Sequence, residues 1–241
     1  MSQSSRLQRE AGAGDHPPVS EPELGDFLLR ACHDLRNPLR AVRAHTERIR
    51  RASASPDTET DFVFAADGLQ RIELLTDRLS SYAIALQTEP TSFHPVRMDA
   101  LLRSVLARMD VELRNCDAEV TCGGLPCVSG NADRLFQVFE ELVRNALRHG
   151  GVESPRIGIA AERHRDDWLF KIRDNGRGIE PDYLERAFRP FERLNQAYKA
   201  GAGMGLTICR AIVERHGGRL WAESTRSGGS VLLLTLPFFN E

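Results

Sequence analysis

Trp168-Leu-Phe-Lys-Ile-Arg-Asp174-Asn-Gly-Arg-Gly178-Ile179 reads as a strand that runs directly into a glycine turn. Trp168, Phe170 and Ile172 alternate with Leu169, Lys171 and Arg173, the two-residue period of a strand with one buried face. Asp174 closes that strand, where its carboxylate is expected to be partly buried. A buried carboxylate needs hydrogen-bond donors, and an adenine amino group can supply one. Gly176 and Gly178 let the backbone turn against a flat base with no Cβ in the way. Asp-Asn-Gly also makes ordinary turns, so the stretch gains its meaning from what surrounds it.

Downstream, Gly201-Ala-Gly203-Met-Gly205 leads into a helix predicted over 205–216, which stops at Gly217-Gly218. The N–H groups at the start of such a helix can cradle phosphate, aided by the positive helix end. Leu206 and Thr207 fall in that first turn. Between the glycine motifs, 180–204 carries few strand or long-helix signals and reads as a lid, with Phe188 and Phe191 as anchors and Arg193 near the phosphates. Upstream lies a predicted helix over 131–149, whose apolar face is Leu135, Val138, Phe139, Leu142 and Ala146. Glu141, Asn145 and Arg148 share an adjoining face at spacings of four and three. Asn145 therefore sits at the rim of the core, where its side-chain carbonyl can meet a hydrated Mg²⁺ held mainly by phosphates. A polar rim residue is otherwise ordinary.

The N-terminal part of the chain has a different texture. Residues 1–20 are rich in Ser, Gly and Pro without periodicity and are expected to be a disordered tail. From Glu21, Leu28, Leu35, Val42 and Ile49 recur every seven residues, with Leu24 and Ala31 beside them. A second helix over about 59–87 repeats the pattern with Ala65, Ile72, Leu79 and Leu86, and Leu69 and Ala83 between. The turn at Ser53-Ala-Ser-Pro56-Asp makes the pair a hairpin over 21–88. One hairpin cannot bury both seams, so a homodimeric four-helix bundle is expected. Glu89-Pro-Thr-Ser-Phe-His-Pro95 reads as a linker, and 96–240 as a second domain that mixes strands with helices, including one over 99–114.

His33 lies in His33-Asp34-Leu-Arg-Asn37-Pro38-Leu, in register with Asp26, Arg40 and Glu47 and away from the leucine seam. On periodicity alone it reads equally as an ordinary surface histidine. Its neighbours add chemistry. Asp34 can take the imidazole proton or hold the tautomer that leaves the other nitrogen free to attack. Asn37 lies one turn on, where its amide can orient a water. Pro38 removes a backbone donor at a cost of about 3 kcal/mol in an ordinary helix interior, so a local bend is expected.

Bulk properties exclude several classes. At 241 residues the net charge is −2, so no basic field points to nucleic acid. No apolar run approaches membrane-spanning length, and Met1-Ser-Gln-Ser-Ser-Arg lacks the apolar core of a secretory signal. The five cysteines form no CxxC or metal pattern, which fits free thiols in a cytoplasmic protein.

Together the motifs resemble those of a two-component sensor histidine kinase over about residues 24–240. His33-Asp-Leu-Arg-Asn-Pro-Leu39 looks like the H box and Gln137-Val-Phe-Glu-Glu-Leu-Val-Arg-Asn145-Ala like the N box. Asp174-Asn-Gly-Arg-Gly178-Ile looks like the G1 box, Phe188-Arg-Pro-Phe191 the F box and Gly201-Ala-Gly203-Met-Gly205-Leu the G2 box. The H box and Arg193-Leu-Asn look closest to phytochrome-like kinases.

The resemblance implies an α+β architecture, a helical hairpin followed by a Bergerat-type (GHKL) α/β sandwich. It implies ATP and Mg²⁺ as ligands, with Arg148 and His149 joining the pocket residues above. It also implies phosphorylation of His33, transfer to an aspartate of a response regulator receiver domain, and a phosphatase role for Asp34 with Asn37. Residues 1–23 are too short for a sensor domain, so a separate sensor or input protein is expected. Glu141 departs from the pattern. Many members carry Asn there, whereas gyrase- and MutL-like ATPases carry a Glu that activates water. Such an ATPase and a non-catalytic phosphotransfer scaffold are the competing readings.

Overall fold

The computed structural model describes residues 21–52, 56–89, 93–150, 154–192, 203–225 and 228–239. Expectations for the tail, the turn at 53–55, Arg193 and Gly201 lie outside them. Two long helices, α1 (Glu21–Ala52) and α2 (Pro56–Leu86), form the expected hairpin. Pro38 falls inside the continuous helical span of α1. Arg36 donates to Asp77 at 2.9 Å and to Ser80 at 3.2 Å, and Arg43 to Glu73 at 2.8 Å, fixing the antiparallel register. These pairs are largely solvated, so each contributes no more than about 1 kcal/mol.

The contact between the helices uses only part of the predicted seams: Leu69 and Ala83 are buried, whereas Ala65 and Ile72 are exposed. On α2, Phe62, Leu69, Thr76 and Ala83 are buried at a spacing of seven residues, and on α1 Gly25 and Cys32 are buried. A Cβ at Gly25 would lie 3.2 Å from the Ala83 carbonyl oxygen, so the helices nearly touch there. Leu35, Val42 and Ile49 are 50%, 50% and 55% exposed, which leaves the predicted leucine seam outside the hairpin. The other end of α2 is also used differently. Leu79, Tyr82, Ala85 and Leu86 join the core of the α/β unit rather than a bundle seam, because α6 packs on α2.

The α/β unit is built on a five-stranded sheet of order β2-β4-β5-β7-β6. Its strands are β2 (Glu119–Cys122), β4 (Arg156–His164), β5 (Asp167–Asp174), β6 (Leu220–Ser224) and β7 (Ser230–Pro237). Only the β2–β4 pairing is parallel. A separate antiparallel pair joins β1 (His94–Arg97) to β3 (Cys127–Gly130). Helices α5 (Ala132–Gly150) and α6 (Gly205–Arg215) cover one face of the sheet, and α3 (Met98–Arg108) packs on α5. Ile157, Ile159, Phe170, Ile172, Leu232, Leu234 and Leu236 meet Leu135, Val138, Phe139 and Leu142 of α5 in the core. Phe139 stands edge-on to Phe170 at 5.6 Å, a geometry aromatic pairs favour. Among the described residues, no helix is long and apolar enough to cross a membrane.

Two expectations need correcting. The helix predicted over 99–114 breaks at Met109, a fully buried residue, and resumes as α4 (Asp110–Asn115). No glycine or proline marks that break. The segment expected to be a linker up to Pro95 ends inside β1.

His216 ties this linker region to α6. Its ring stacks on Phe93 with centroids 4.3 Å apart, and its Nε2 accepts the Asn131 N–H at 3.0 Å. Nδ1 lies 2.7 Å from the Ile212 carbonyl oxygen and must carry the proton. At 3% exposure, burial holds the imidazole below its ordinary pKa, only partly opposed by the Ile212 carbonyl. Protonating Nε2 would break the Asn131 bond. The folded pKa is the depressed one, so this stability is complete above the unfolded value of about 6.5 and is lost as pH falls below it. Thermal midpoints measured from pH 8 to pH 5 should fall through that window, and His216→Gln should flatten that part of the curve.

Candidate nucleotide site and phosphoacceptor

Asp174 ends β5 with 7% exposure, and the chain itself supplies its donors. Oδ1 accepts the Gly176 N–H at 2.8 Å and the Ser230 N–H at 3.3 Å, and Oδ2 accepts the Ser230 hydroxyl. The carboxylate is therefore rigidly aimed before any ligand arrives. Asn175 turns the other way, accepting the Arg156 N–H at 2.8 Å and donating to the Ser154 carbonyl at 3.3 Å. Gly178 adopts φ +78°, and a Cβ there would stand 2.8 Å from the Gly229 carbonyl oxygen, so no other residue fits. The Ile179 carbonyl accepts the Ser224 hydroxyl, pinning the end of this turn to β6.

The second part of the site is the start of α6. Gly203 has φ +70°, and a Cβ on it would meet the Glu192 carbonyl oxygen at 2.7 Å. Met204 precedes the helix and no side chain caps it. The first N–H groups of a helix have no partner within it, so those from Gly205 through Thr207 are donors for an anion. Leu206 is half-buried beside them.

Thr207 and α6 also hold the base of the segment read as a lid. The Thr207 hydroxyl donates to the Phe188 carbonyl at 2.9 Å, and Arg210 lies 3.9 Å over the Phe188 ring while pairing with Glu185. Phe188 is buried, as an anchor should be. Phe191 is not: it is 55% exposed at φ +62°, which overturns its expected anchoring role. Its backbone packs under Gly203, and that close passage leaves the ring outside.

On α5, Asn145 and Arg148 are half-buried on the face predicted for them. Glu141 lies one turn before Asn145 and is engaged by cations. Arg78 reaches Oε1 at 3.3 Å and Arg144 reaches Oε2 at 3.5 Å. The carboxylate rests against the start of α6, since a Cβ on Gly205 would be 2.5 Å from Oε1. His33 is exposed on α1, in the other structural unit.

Residues 130–240 match the family described as histidine kinase-, DNA gyrase B- and HSP90-like ATPase. Over 222 residues the chain is 33% identical to cyanobacterial phytochrome A of Nostoc sp., covering 90% of this chain and 29% of that protein. A phytochrome-like protein of Synechocystis sp. is 34% identical over 226 residues, covering 92% of this chain and 30% of that one. Among solved structures, the catalytic domain of the histidine kinase ThkA is 26% identical with a TM-score of 0.53, covering 60% of this chain and 95% of that one. Residues 130–240 belong to the histidine kinase-, DNA gyrase B- and HSP90-like ATPase family.

The chain spans under a third of the length of the phytochromes it matches, 29% and 30%. ThkA in complex with the response regulator TrrA has the same fold over 90% of this chain and 62% of that one, with a TM-score of 0.59 and 24% identity. The structure places Asp174, Gly176, Gly178 and Ile179, the residues likened to a G1 box, in one cluster at the end of β5. It brings Gly203 and Gly205, likened to a G2 box, to the start of α6, with Gly205 against Glu141. Arg193 and Gly201 lie outside the described residues, as do the side chains of Asp34, Asn37 and His149.

Two site residues were missed in the sequence. Ser230 follows Gly228-Gly229 at the head of the last apolar strand, and that glycine pair was the available signal. Arg78 gave no signal, being one arginine among many on an amphipathic helix.

Proposed function

We propose that the chain is a histidine kinase that phosphorylates His33 from ATP and passes the phosphoryl group to an aspartate of a response regulator. The single observation that carries this reading is the pairing of the preorganised Asp174 pocket with an exposed histidine on a separate helical hairpin. The adenine amino group would donate to Asp174, whose geometry is already held by Ser230 and Gly176. The free N–H groups at the start of α6 would take the phosphates. Gly178 and Gly203 fit a nucleotide because both keep backbone close to backbone where a side chain would intrude.

Asn145 would hold Mg²⁺ from the rim of α5, and the bound cation would neutralise charge on the phosphates. His33 would be the nucleophile, with Asp34 as proton acceptor or tautomer holder, and Arg148, His149 and Arg193 near the phosphates. Asn37 would orient water in a second, phosphatase activity toward the regulator. A homodimer follows from Leu35, Val42 and Ile49, which the hairpin leaves exposed along one side of α1 together with Ile72, Leu74 and Leu75 of α2. Such a stripe is what a second hairpin would cover. The regulator as partner is supported by the complex of ThkA with TrrA. The sensor input would come from another protein or segment.

Incubating the chain with γ-labelled ATP and Mg²⁺ tests the reading. Acid-labile label on the protein is expected, and free phosphate alone would replace the kinase by an ATPase of the gyrase kind. Asn145→Ala should fold normally, since Ala is the best helix former. It should lose the Mg²⁺-dependent part of nucleotide affinity. Wild-type calorimetric affinity with Mg²⁺ present would remove Asn145 as the ligand.

A further inference from the structure

Glu141 occupies a position where its chemistry needs restraint. It sits on α5 one turn before Asn145, with its carboxylate against the first residue of α6, where phosphates are expected. A carboxylate in that place can take a proton from water. The water oxygen would then bond to the γ-phosphorus, the bond from that phosphorus to the β–γ bridging oxygen would break, and ADP would leave. Glu141 would hold the proton, and the phosphoryl group would be lost to solvent instead of reaching His33.

The structure shows what occupies this carboxylate. Arg144, from the same helix, is 3.5 Å away, but it also contacts Glu112 at 3.4 Å and Glu140 at 3.1 Å. The closer cation is Arg78, which comes from the hairpin and not from the nucleotide unit. Arg78 is placed by its neighbours Leu79, Tyr82, Ala85 and Leu86, which pack into the core beneath α6. Its side chain and that of Glu141 are 25% and 14% exposed, so the pair is partly shielded from water. The thiol of Cys209 on α6 is pushed up first by burial and then by the Glu141 charge, with Arg78 acting the other way.

We propose that Arg78 is a positioning residue which clasps Glu141 across the two units and thereby keeps the nucleotide site from hydrolysing ATP. Its guanidinium stands 3.3 Å from Oε1, where its charge offsets that of the carboxylate and its bulk takes the place of a water at that oxygen. The inference rests on the kinase reading above, and the two can fail separately.

The test uses the full chain with Mg²⁺ and ATP, reading released phosphate and acid-labile protein label in the same samples. Arg78→Ala should raise phosphate release per labelled protein by at least about five-fold, a modest share of what a positioned base provides. Affinity for AMPPNP should stay within about two-fold, showing that the pocket is intact. Arg78→Lys, which keeps the charge, should restore most of the coupling. Adding Glu141→Gln to Arg78→Ala should return phosphate release to the wild-type level, which a merely structural role for Arg78 would not do. Phosphate release unchanged in Arg78→Ala, or a leak that survives Glu141→Gln, overturns the proposal. Wild-type protein that takes up no label overturns the kinase reading instead, whatever the leak.

Discussion

His33→Ala should bind ATP with unchanged affinity and take up no acid-labile label. The proposed acceptor, His33, stands exposed on α1, while Asp174, the start of α6 and Asn145 belong to the other unit. Removing the imidazole therefore alters no contact in the pocket. Phosphoryl transfer asks little of the protein beyond in-line positioning and charge neutralisation, so losing the nucleophile removes the reaction without a partial substitute. The expected loss is complete within the sensitivity of the assay. Label above about a tenth of wild type would move the acceptor elsewhere, and His45 on the same helix would be examined next.

Asp174→Asn should be nearly as severe, for the opposite reason. The change leaves the acceptor and the fold in place. Oδ1 can still take the Gly176 N–H, so the turn itself should survive. The lost negative charge weakens a charge-assisted hydrogen bond to the adenine amino group, and the new amide can present a donor where an acceptor is required. Bonds to charged groups are worth about 1.5–3 kcal/mol, or roughly ten- to hundred-fold in affinity. Calorimetry should show that loss for ATP, together with a narrowed preference for ATP over GTP. An unaltered preference would sink the proposed contact. Ser230→Ala should sit between the two, since it removes only one of the three bonds that aim the carboxylate.

Much of this architecture could be read locally. The apolar stripe of α5 and the alternation in β4 and β5 repeat over eight or more residues, long enough for their period to show, and β7 is legible as an unbroken apolar run. Strands β1, β2 and β3 have four residues each, too short for a period to show, and β2 is an edge strand with little buried area. The glycine motifs were legible for a related reason: a glycine at φ +70° or +78° against another backbone is a local demand that only one residue type meets.

The heptads of α1 and α2 announced two helices and the seven-residue spacing of their packing. They could not say which of two parallel stripes faces the neighbour. Phe62, Leu69, Thr76 and Ala83 face α1 because Gly25 and Cys32 allow the helices to come close there. The leucine stripe of α1 stays outside. Likewise the sequence determined that Asp174 would be buried and would need donors, whereas only the pairing of β5 with β7 showed that Ser230 provides them. Arg78 and Glu141 are the extreme case, 63 positions apart on separate units. Periodicity records what each element buries against its immediate environment, and packing between elements decides which charges meet across it.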